Sequence, residues 1–264
     1  MGSAEIQGDL WSANPAAWAE GAERQNQPLF EAVLERLDPP PGTALLDAGC
    51  GSGLFAELAA ARGVRVAGLD AAPGLIDYAS RRVPAGQFTV GDLEALPYPD
   101  GAFDLVTAFN SVYYATHPRR VIAEMARVTG GGGHVVVTVG AGAQKSDLPK
   151  LVDALRPLIA PADPEDAAQV PVTLSDIDQM RAELEGVGLE LLDQVEVPFP
   201  WIYADMAEAV RGQTSSGPSE AAIRHSGRDA VAGALREFFG ERVQPDGTIR
   251  MDITFRYALA RQPG

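Results

Sequence analysis

The feature that most constrains the fold of this chain is an apolar stretch that runs directly into a glycine-rich loop. The stretch at 44–48 contains an acid, Asp47, and is followed by the loop G-C-G-S-G at 49–53. A second apolar stretch at 64–69 ends in another acid, Asp70. Glycines let the backbone approach a ligand closely, and the helix that follows presents its N-terminus to that ligand. The pattern predicts a ligand site at one end of a sheet.

Two kinds of cofactor use such a loop, and the acids distinguish between them. Gly51, Gly53 and Ala56 satisfy the dinucleotide pattern G-x-G-x-x-A, and Asp70 lies near the position of a ribose-binding acid. Asp47 argues against a dinucleotide, because its carboxylate would repel the pyrophosphate by roughly 4 kcal/mol at about 4 Å in a partly dry site. A ligand with a cationic head, such as S-adenosylmethionine, would be attracted instead. The acids therefore favour S-adenosylmethionine, with an NAD(P)-dependent oxidoreductase as a weaker alternative.

Strands and helices alternate through the first half of the chain. Strands are predicted at 44–48, 64–69, 87–90, 103–109 and 133–139, and helices at 53–62, 73–82 and 118–128. This alternation predicts an α/β fold, with a doubly wound parallel sheet that has helices on both faces. Ligands in such sheets bind at the carboxyl ends of the strands. Four polar residues fall at those ends and should meet there: Asp47, Asp70, Asp92 and Asn110.

Residues 45–139 resemble the core of the class I S-adenosylmethionine-dependent methyltransferases, in the small-molecule, type 11 group. The matching motifs are D-A-G-C-G-S-G at 47–53, G-L-D-A at 68–71, G-D-L-E-A-L-P-Y-P-D-G-A-F-D at 91–104 and V-T-A-F-N-S at 106–111. The resemblance implies a mostly parallel, seven-stranded, Rossmann-like sheet with a helical cap insertion. It also implies S-adenosyl-L-methionine as cofactor, S-adenosyl-L-homocysteine as its product, and a cytoplasmic enzyme of secondary metabolism.

The resemblance assigns roles to the residues at the strand ends. Asp47 would organise the methionine end beside the glycine amides, and Asp70 would accept bonds from both ribose hydroxyls. Asp92 would accept from the adenine amino group, and Asn110 would contact the amino acid moiety. The residues expected to bind the cofactor are Asp47, Gly49, Cys50, Gly51, Gly53, Asp70, Ala71, Asp92, Leu93, Asn110 and Ser111. Asp is also common at strand ends as a turn residue, and for Asn110 both interpretations stay open.

The remaining segments are expected to surround this core. We expect an N-terminal helical segment at 1–42 that closes over the cofactor, and an S-adenosylmethionine-binding core at 43–139. Substrate cap insertions are expected at 140–173 and 198–249, with the rest of the core sheet at 174–197 and 250–264. More locally, the sequence predicts a helix at 14–37 capped by Asn14, a helix at 174–187 capped by Ser175, and a strand at 188–197.

Aromatic residues and histidines supply the candidates for the substrate side. The expected substrate contacts are Tyr113, Tyr114, Trp201, Tyr203 and His225. The candidates for a general base are His117, His225 and Tyr203, although core packing, helix capping or solvent exposure would also explain them. Trp11 and Trp18 could fold over the cofactor or anchor their own helix. The sequence predicts no metal site, because the spacing of its histidines does not match that of metal ligands.

These features predict methyl transfer to an O, N or C nucleophile of a small, fairly apolar metabolite. A non-methylating cyclase on the same fold, which holds the cofactor as a fixed cation, is the alternative.

Composition excludes several other classes of protein. The net charge of −15, without a basic cluster, argues against nucleic-acid partners. Cys50 is the single cysteine, so no intrachain disulfide can form. The first residues lack the regions of a signal peptide and no apolar run could cross a bilayer, so we expect no membrane association and a cytoplasmic location. The sequence leaves open whether the chain is a monomer or a homodimer.

Overall fold

The chain folds around a single seven-stranded sheet in a computed structural model that describes residues 3–161 and 177–264. The strands are β1 Ala44–Ala48, β2 Arg65–Asp70, β3 Gln87–Val90, β4 Phe103–Phe109, β5 Thr129–Gly140, β6 Glu190–Tyr203 and β7 Ile249–Arg261. Their order is β3-β2-β1-β4-β5-β7-β6. Strands β1 to β5 run parallel, and β7 lies antiparallel between β5 and β6. The predicted doubly wound, mostly parallel seven-stranded sheet is confirmed.

Helices cover both faces and one end of the sheet. They are α1 Ser3–Trp11, α2 Gln27–Leu37, α3 Leu54–Ala60, α4 Pro73–Arg82, α5 Pro118–Val128, α6 Leu148–Leu155, α7 Ile177–Gly186, α8 Met206–Gln213, α9 Gly217–Ser226 and α10 Arg228–Gly240. Short 3-10 turns occur at Val112–Tyr114 and Arg156–Leu158. The predicted cap residue Ser175 lies outside the described residues.

The core has two layers because successive residues of a strand point to opposite faces. Leu45 and Leu46 of β1 are both fully buried, one in each layer. The layer that contains Leu45 includes Phe55 of α3, and the layer that contains Leu46 includes Met125 of α5. A parallel sheet that is covered on both faces in this way requires near-continuous apolar strands, which this sequence provides.

The N-terminal segment differs from the predicted single helix at 14–37. Within the helical segment expected at 1–42, the structure has helix α1, then an α-helical turn Pro15–Ala17, a π-helical turn Trp18–Ala22, a 3-10 turn Glu23–Asn26 and finally α2. Proline at the second position of α2 explains part of this break, since proline suits a first turn but not a helix interior. The side chain of Asn14 makes no capping hydrogen bond.

Strand β6 extends six residues beyond the predicted 188–197 and takes in residues expected in a cap. Pro198 to Tyr203 pair with β7 from Thr254 to Ile249. Two prolines in this segment argue against a strand in the sequence, but β6 is the edge of the sheet. An edge strand tolerates proline because one side of its backbone needs no partner. The connection from β6 to β7 therefore runs over 204–248 and contains α8, α9 and α10.

Other boundaries shift less. The helix predicted at 53–62 spans Leu54–Ala60, and β5 begins at Thr129 instead of residue 133. Within residues 3–161 and 177–264, none of the helices has the length and apolar character needed to cross a bilayer.

The core makes a simple prediction about stability. Leu45→Ala empties a fully buried position in a central strand and should lower the free energy of unfolding by about 2–5 kcal/mol. The matched change Leu192→Ala, at a position in β6 that is 42% exposed, should cost roughly 0.5 kcal/mol or less. Urea unfolding followed by circular dichroism measures both values. Equal losses in the two variants would contradict this account of the core.

Candidate cofactor and substrate site

A cavity of about 750 Å³ opens at the carboxyl ends of the parallel strands. Its wall includes Asp47 of β1, Asp70 of β2, Asp92 just after β3 and Asn110 just after β4. These are the four polar residues that the strand–helix alternation places at one edge. The topology thus gathers side chains that are far apart in sequence into one ligand-sized space.

The glycine loop borders this cavity, but its amides are already engaged. The N–H of Gly49 donates to the carbonyl of Leu69 at 2.7 Å. The N–H of Gly51 donates to Asp70 Oδ2 at 2.9 Å, and that of Gly53 bonds within the loop at 3.0 Å. The amides expected beside a ligand are therefore not free donors, and the loop offers close backbone contact instead.

Two glycines of the loop are required for different reasons. Gly49 has φ +84°, and a Cβ there would lie 2.3 Å from the Cβ of Ser111. Gly53 also has φ +84°, but a Cβ there would meet Ala79 of α4, 2.9 Å from its Cβ. Gly53 does not line the cavity. The structure places Gly53 where α3 packs against α4.

Asp47 is a buried carboxylate on the cavity wall. Its Oδ1 accepts a hydrogen bond from the hydroxyl of Thr107 at 2.8 Å, and no ion pair involves it among the described residues. Burial raises its pKa to about 7, the Thr107 bond opposes that rise, and the charges of Asp70 and Glu23 add to it. A positively charged ligand would relieve this cost, because an opposite charge favours the ionised form.

Asp70 is held by the backbone around it. Its two oxygens accept from the N–H groups of Gly51 and Ala72, each at 2.9 Å. Burial raises the pKa of Asp70, and these bonds oppose the rise. A carboxylate offers about four lone-pair sites, so Asp70 can still accept from a further donor. Burial, with the charge of Asp70 next, raises the pKa of the neighbouring Cys50 thiol well above its usual range, so this thiol stays protonated.

The next wall residues are in turns and short loops. Asp92 Oδ1 accepts from the N–H of Glu94 at 2.9 Å, so this side chain shapes its own turn as well as lining the cavity. Ala71 and Leu93 also lie on the wall. Just after β4, Asn110 has φ +54°, and its N–H donates to Thr138 Oγ1 at 3.0 Å.

Ser111 completes this part of the wall. Its hydroxyl donates to the carbonyl of Ala48 at 2.8 Å, which ties the end of β4 to the end of β1.

A second buried carboxylate on the wall, Glu23, is missed by sequence analysis. Its Oε1 accepts from the N–H of Ser52 at 2.9 Å, its Oε2 accepts from the Ser52 hydroxyl, and Arg82 of α4 pairs with it at 2.6 Å. Burial raises the pKa of Glu23, and the bonds from Ser52 and Arg82 oppose that rise. Glu23 and Arg82 are 59 positions apart, so no local spacing marks the pair.

Aromatic residues of the N-terminal segment close one side of the cavity. The rings of Trp11 and Trp18 meet edge to face at 4.7 Å, and Trp11 meets Tyr114 at 5.8 Å. Both tryptophans line the cavity. Helix α1 is pressed against the site, because a Cβ on Gly8 would lie 2.3 Å from the carbonyl oxygen of Ala71.

The candidates on the substrate side separate into two groups. Tyr113, Tyr114 and Trp201 lie on the cavity wall, whereas Tyr203, His117 and His225 do not. Tyr203 is buried behind the wall, where its hydroxyl accepts from Gln213 Nε2 at 2.8 Å.

The two histidines are held elsewhere. His117 is the residue just before α5, and its Nδ1 lies 2.9 Å from a carboxylate oxygen of Glu94. His225 is exposed near the end of α9. None of the three candidate bases therefore faces the cavity.

The rest of the wall is mostly apolar. Phe109 contacts two other wall residues, with ring centroids 4.8 Å from Phe30 and 4.4 Å from Phe55. Further apolar wall residues come from α6, β6 and β7: Leu148, Leu151, Val152, Leu155, Trp201 and Phe255. The cavity thus combines an acidic half at the glycine loop with an aromatic and aliphatic half beyond it.

Comparisons with known proteins place this site in context. Residues 46–137 match the family model of a methyltransferase domain. A malonyl-[acyl-carrier protein] O-methyltransferase from Serratia marcescens is 39% identical over 148 residues, which are 53% of this chain and 58% of that relative. The protein of the same name from Erwinia billingiae is 31% identical over 171 residues, 58% of this chain and 67% of that relative. The matched segment spans between about half and two thirds of the length of these relatives.

A solved structure with a similar fold is geranyl diphosphate C-methyltransferase from Streptomyces coelicolor, in complex with S-adenosyl-L-homocysteine. The TM-score is 0.55 over 91% of this chain and 80% of that one. At 16% identity, this likeness concerns the fold alone.

The raised pKa of Asp47 predicts how stability depends on pH in the ligand-free protein. Because the folded-state pKa is about 7 and the unfolded value is about 3.8, stability should fall as the pH rises from about 4 to about 7. Asp47→Asn removes this loss and should stabilise the protein at pH 8 by up to roughly 4 kcal/mol, with a smaller gain toward pH 4.

Asp77→Asn, at an exposed acid of α4, is the matched control. Thermal unfolding at several pH values measures the effect. If the stability of the two variants depended on pH in the same way, Asp47 would not be a buried carboxyl group with a raised pKa.

Substitution by alanine should destabilise the protein by different amounts at two glycines that share a backbone conformation. Gly49 and Gly188 have φ +84° and +87°, but only Gly49 is crowded, because nothing lies within 4 Å of a Cβ at Gly188. Gly188→Ala should cost about 1–2 kcal/mol. Gly49→Ala should cost distinctly more, and adding Ser111→Gly should recover part of the difference. Chemical denaturation gives each value, and equal costs at the two sites would refute the steric argument.

Proposed function

The chain belongs to the class I S-adenosylmethionine-dependent methyltransferases, and on that premise we propose that it binds S-adenosyl-L-methionine in the acidic half of the cavity. It transfers the methyl group to an O, N or C nucleophile of a small, fairly apolar metabolite. S-adenosylmethionine supplies a methyl group on a positively charged sulfur and leaves as S-adenosyl-L-homocysteine. The nucleophile of the acceptor gains the new bond to carbon, and a proton that it loses goes to solvent.

One observation carries this proposal: Asp47 is buried and Asp70 is half-buried on the cavity wall, and no ion pair with a cationic side chain involves either of them among the described residues. Uncompensated buried carboxylates are costly. A ligand with an ammonium and a sulfonium group offsets that cost, whereas a dinucleotide with a pyrophosphate increases it. The donor set therefore fits S-adenosylmethionine and not a nicotinamide cofactor.

The other wall residues support the same orientation of the cofactor. We assign the ribose hydroxyls to the remaining lone pairs of Asp70, which two backbone amides hold in place. Asp92 and Leu93 bind the adenine edge, and Ala71 leaves room for its face. Asn110 contacts the amino acid moiety, and Glu23 positions the glycine loop through Ser52.

The apolar half of the cavity holds the acceptor. Methyl transfer depends chiefly on alignment and on the exclusion of water, and the aromatic wall provides both. No histidine or lysine lines the cavity in the part of the chain that the structure describes. In the proposed reaction, residues of the wall therefore position the acceptor. They do not remove its proton through a histidine side chain.

Isothermal titration calorimetry with S-adenosyl-L-homocysteine tests the cofactor assignment. The protein should bind this ligand, and Asp70→Asn should weaken binding at least about tenfold, because the carboxylate loses acceptor sites. Asp77→Asn, at the exposed acid of α4, should leave the affinity unchanged. No binding of this ligand, or binding of NADH in its place, would overturn the proposal. Mass spectrometry of product mixtures separates methyl transfer, which adds one methyl group, from cyclisation, which gives an isomer.

A further inference from the structure

Two residues of the cavity wall each carry a buried polar atom that has no hydrogen-bond partner among the described residues. The atoms are Oδ1 of Asn26, at the end of the 3-10 turn before α2, and Nε1 of Trp201 in β6. The two residues are 7% and 5% exposed. Other polar groups close by are satisfied, since Gln213 on the same wall donates to Tyr203.

Such atoms need an explanation, because nearly all buried polar groups in proteins are paired. A buried donor or acceptor without a hydrogen-bond partner destabilises the folded protein. On a cavity wall, a ligand can supply the missing partner. One of the two atoms is an acceptor and the other a donor, so together they fit a group that both donates and accepts.

The segments that carry the two residues are bonded to each other. Gln25 precedes Asn26, and Ile202 follows Trp201. The Gln25 side chain makes two hydrogen bonds to the backbone of Ile202: Nε2 donates to the Ile202 carbonyl at 2.6 Å, and Oε1 accepts from the Ile202 N–H at 3.1 Å. These bonds fix the N-terminal segment against the end of β6. The sheet places β6 four strands away from β1, so this part of the wall belongs to the half of the cavity beyond the glycine loop.

The charge of the wall limits what can bind there. Arg156 is the one cationic residue on the described part of the wall, and it is paired with Asp153 at 2.8 Å. The acids on the wall include Glu23, Asp47 and Asp70. An anionic group would therefore meet net repulsion, whereas an uncharged group would not.

From these observations we infer that Asn26 and Trp201 bind an uncharged hydroxyl group of the acceptor, and that the substrates are alcohols or phenols on an apolar skeleton. This inference rests on the proposed function, because it takes this half of the cavity as the acceptor subsite. The hydroxyl donates to Asn26 Oδ1 and accepts from Trp201 Nε1. The two residues determine specificity and orient the acceptor.

The test uses 2-naphthol and naphthalene as probes, which share an apolar skeleton and differ by one hydroxyl. Dissociation constants are measured by equilibrium dialysis, with and without saturating S-adenosyl-L-homocysteine. The native protein should bind 2-naphthol at least about tenfold more tightly than naphthalene. Trp201→Phe and Asn26→Leu should each reduce this preference to roughly threefold or less. Tyr98→Phe, which removes a buried hydroxyl outside the cavity, should preserve it.

A second readout separates ligand binding from a structural role. Because each substitution removes an unpaired buried atom, Trp201→Phe and Asn26→Leu should leave the melting temperature of the ligand-free protein unchanged or raise it. A preference that persists in both variants, or a native protein that binds neither probe or binds both equally, overturns the inference.

Binding of S-adenosyl-L-homocysteine distinguishes a failure of the proposed function from a failure of the hydroxyl subsite. If the native protein prefers 2-naphthol but does not bind S-adenosyl-L-homocysteine, the proposed function fails while the hydroxyl subsite stands. If it binds S-adenosyl-L-homocysteine without any preference for 2-naphthol, the subsite fails alone.

Discussion

The burial of negative charge around one glycine loop is the constraint on which the rest of this structure depends. Asp47, Asp70 and Glu23 all lie on the same cavity wall, and each has a pKa that burial raises. Glu23 is paired with Arg82, but Asp47 receives only the hydroxyl of Thr107. The protein thus compensates one of these charges with a cation, whereas no cationic side chain among the described residues pairs with the other two. A fold that keeps such charges buried gains specificity for a cation at the expense of its own stability.

The half of the site that could be predicted from the sequence is the half with local signals. Asp47 and Asp70 each end an apolar strand, and the glycines between them leave few alternatives to a strand–loop–helix unit. The strands at 87–90 and 103–109 have the predicted bounds because the residues around them are strong turn formers. Once the parallel order is assumed, the meeting of Asp47, Asp70 and Asn110 follows from topology alone.

The features that escaped prediction depend on contacts across the fold. The end of β6, with Trp201, forms a strand because it lies at a sheet edge, where prolines are tolerated. The local sequence does not reveal that a strand will lie at an edge. Glu23 becomes a buried site residue only through Ser52 and Arg82. Gly53 belongs to the same motif as Gly49, but its missing side chain makes room for another helix instead of a ligand. Motif membership therefore predicts backbone conformation better than it predicts which surface a residue faces.

One short helical passage of the N-terminal segment forms part of both halves of the cavity. Glu23 bonds to the glycine loop through Ser52, and Asn26 lies in the same 3-10 turn beside the end of β6. Gln25, between them, is fixed by two bonds to the backbone of Ile202. A displacement of this turn would alter the wall on the glycine-loop side and on the β6 side together, because a packed turn moves as a unit. The shape of both halves of the cavity therefore depends on a segment that lies outside the motifs at 47–53, 68–71, 91–104 and 106–111.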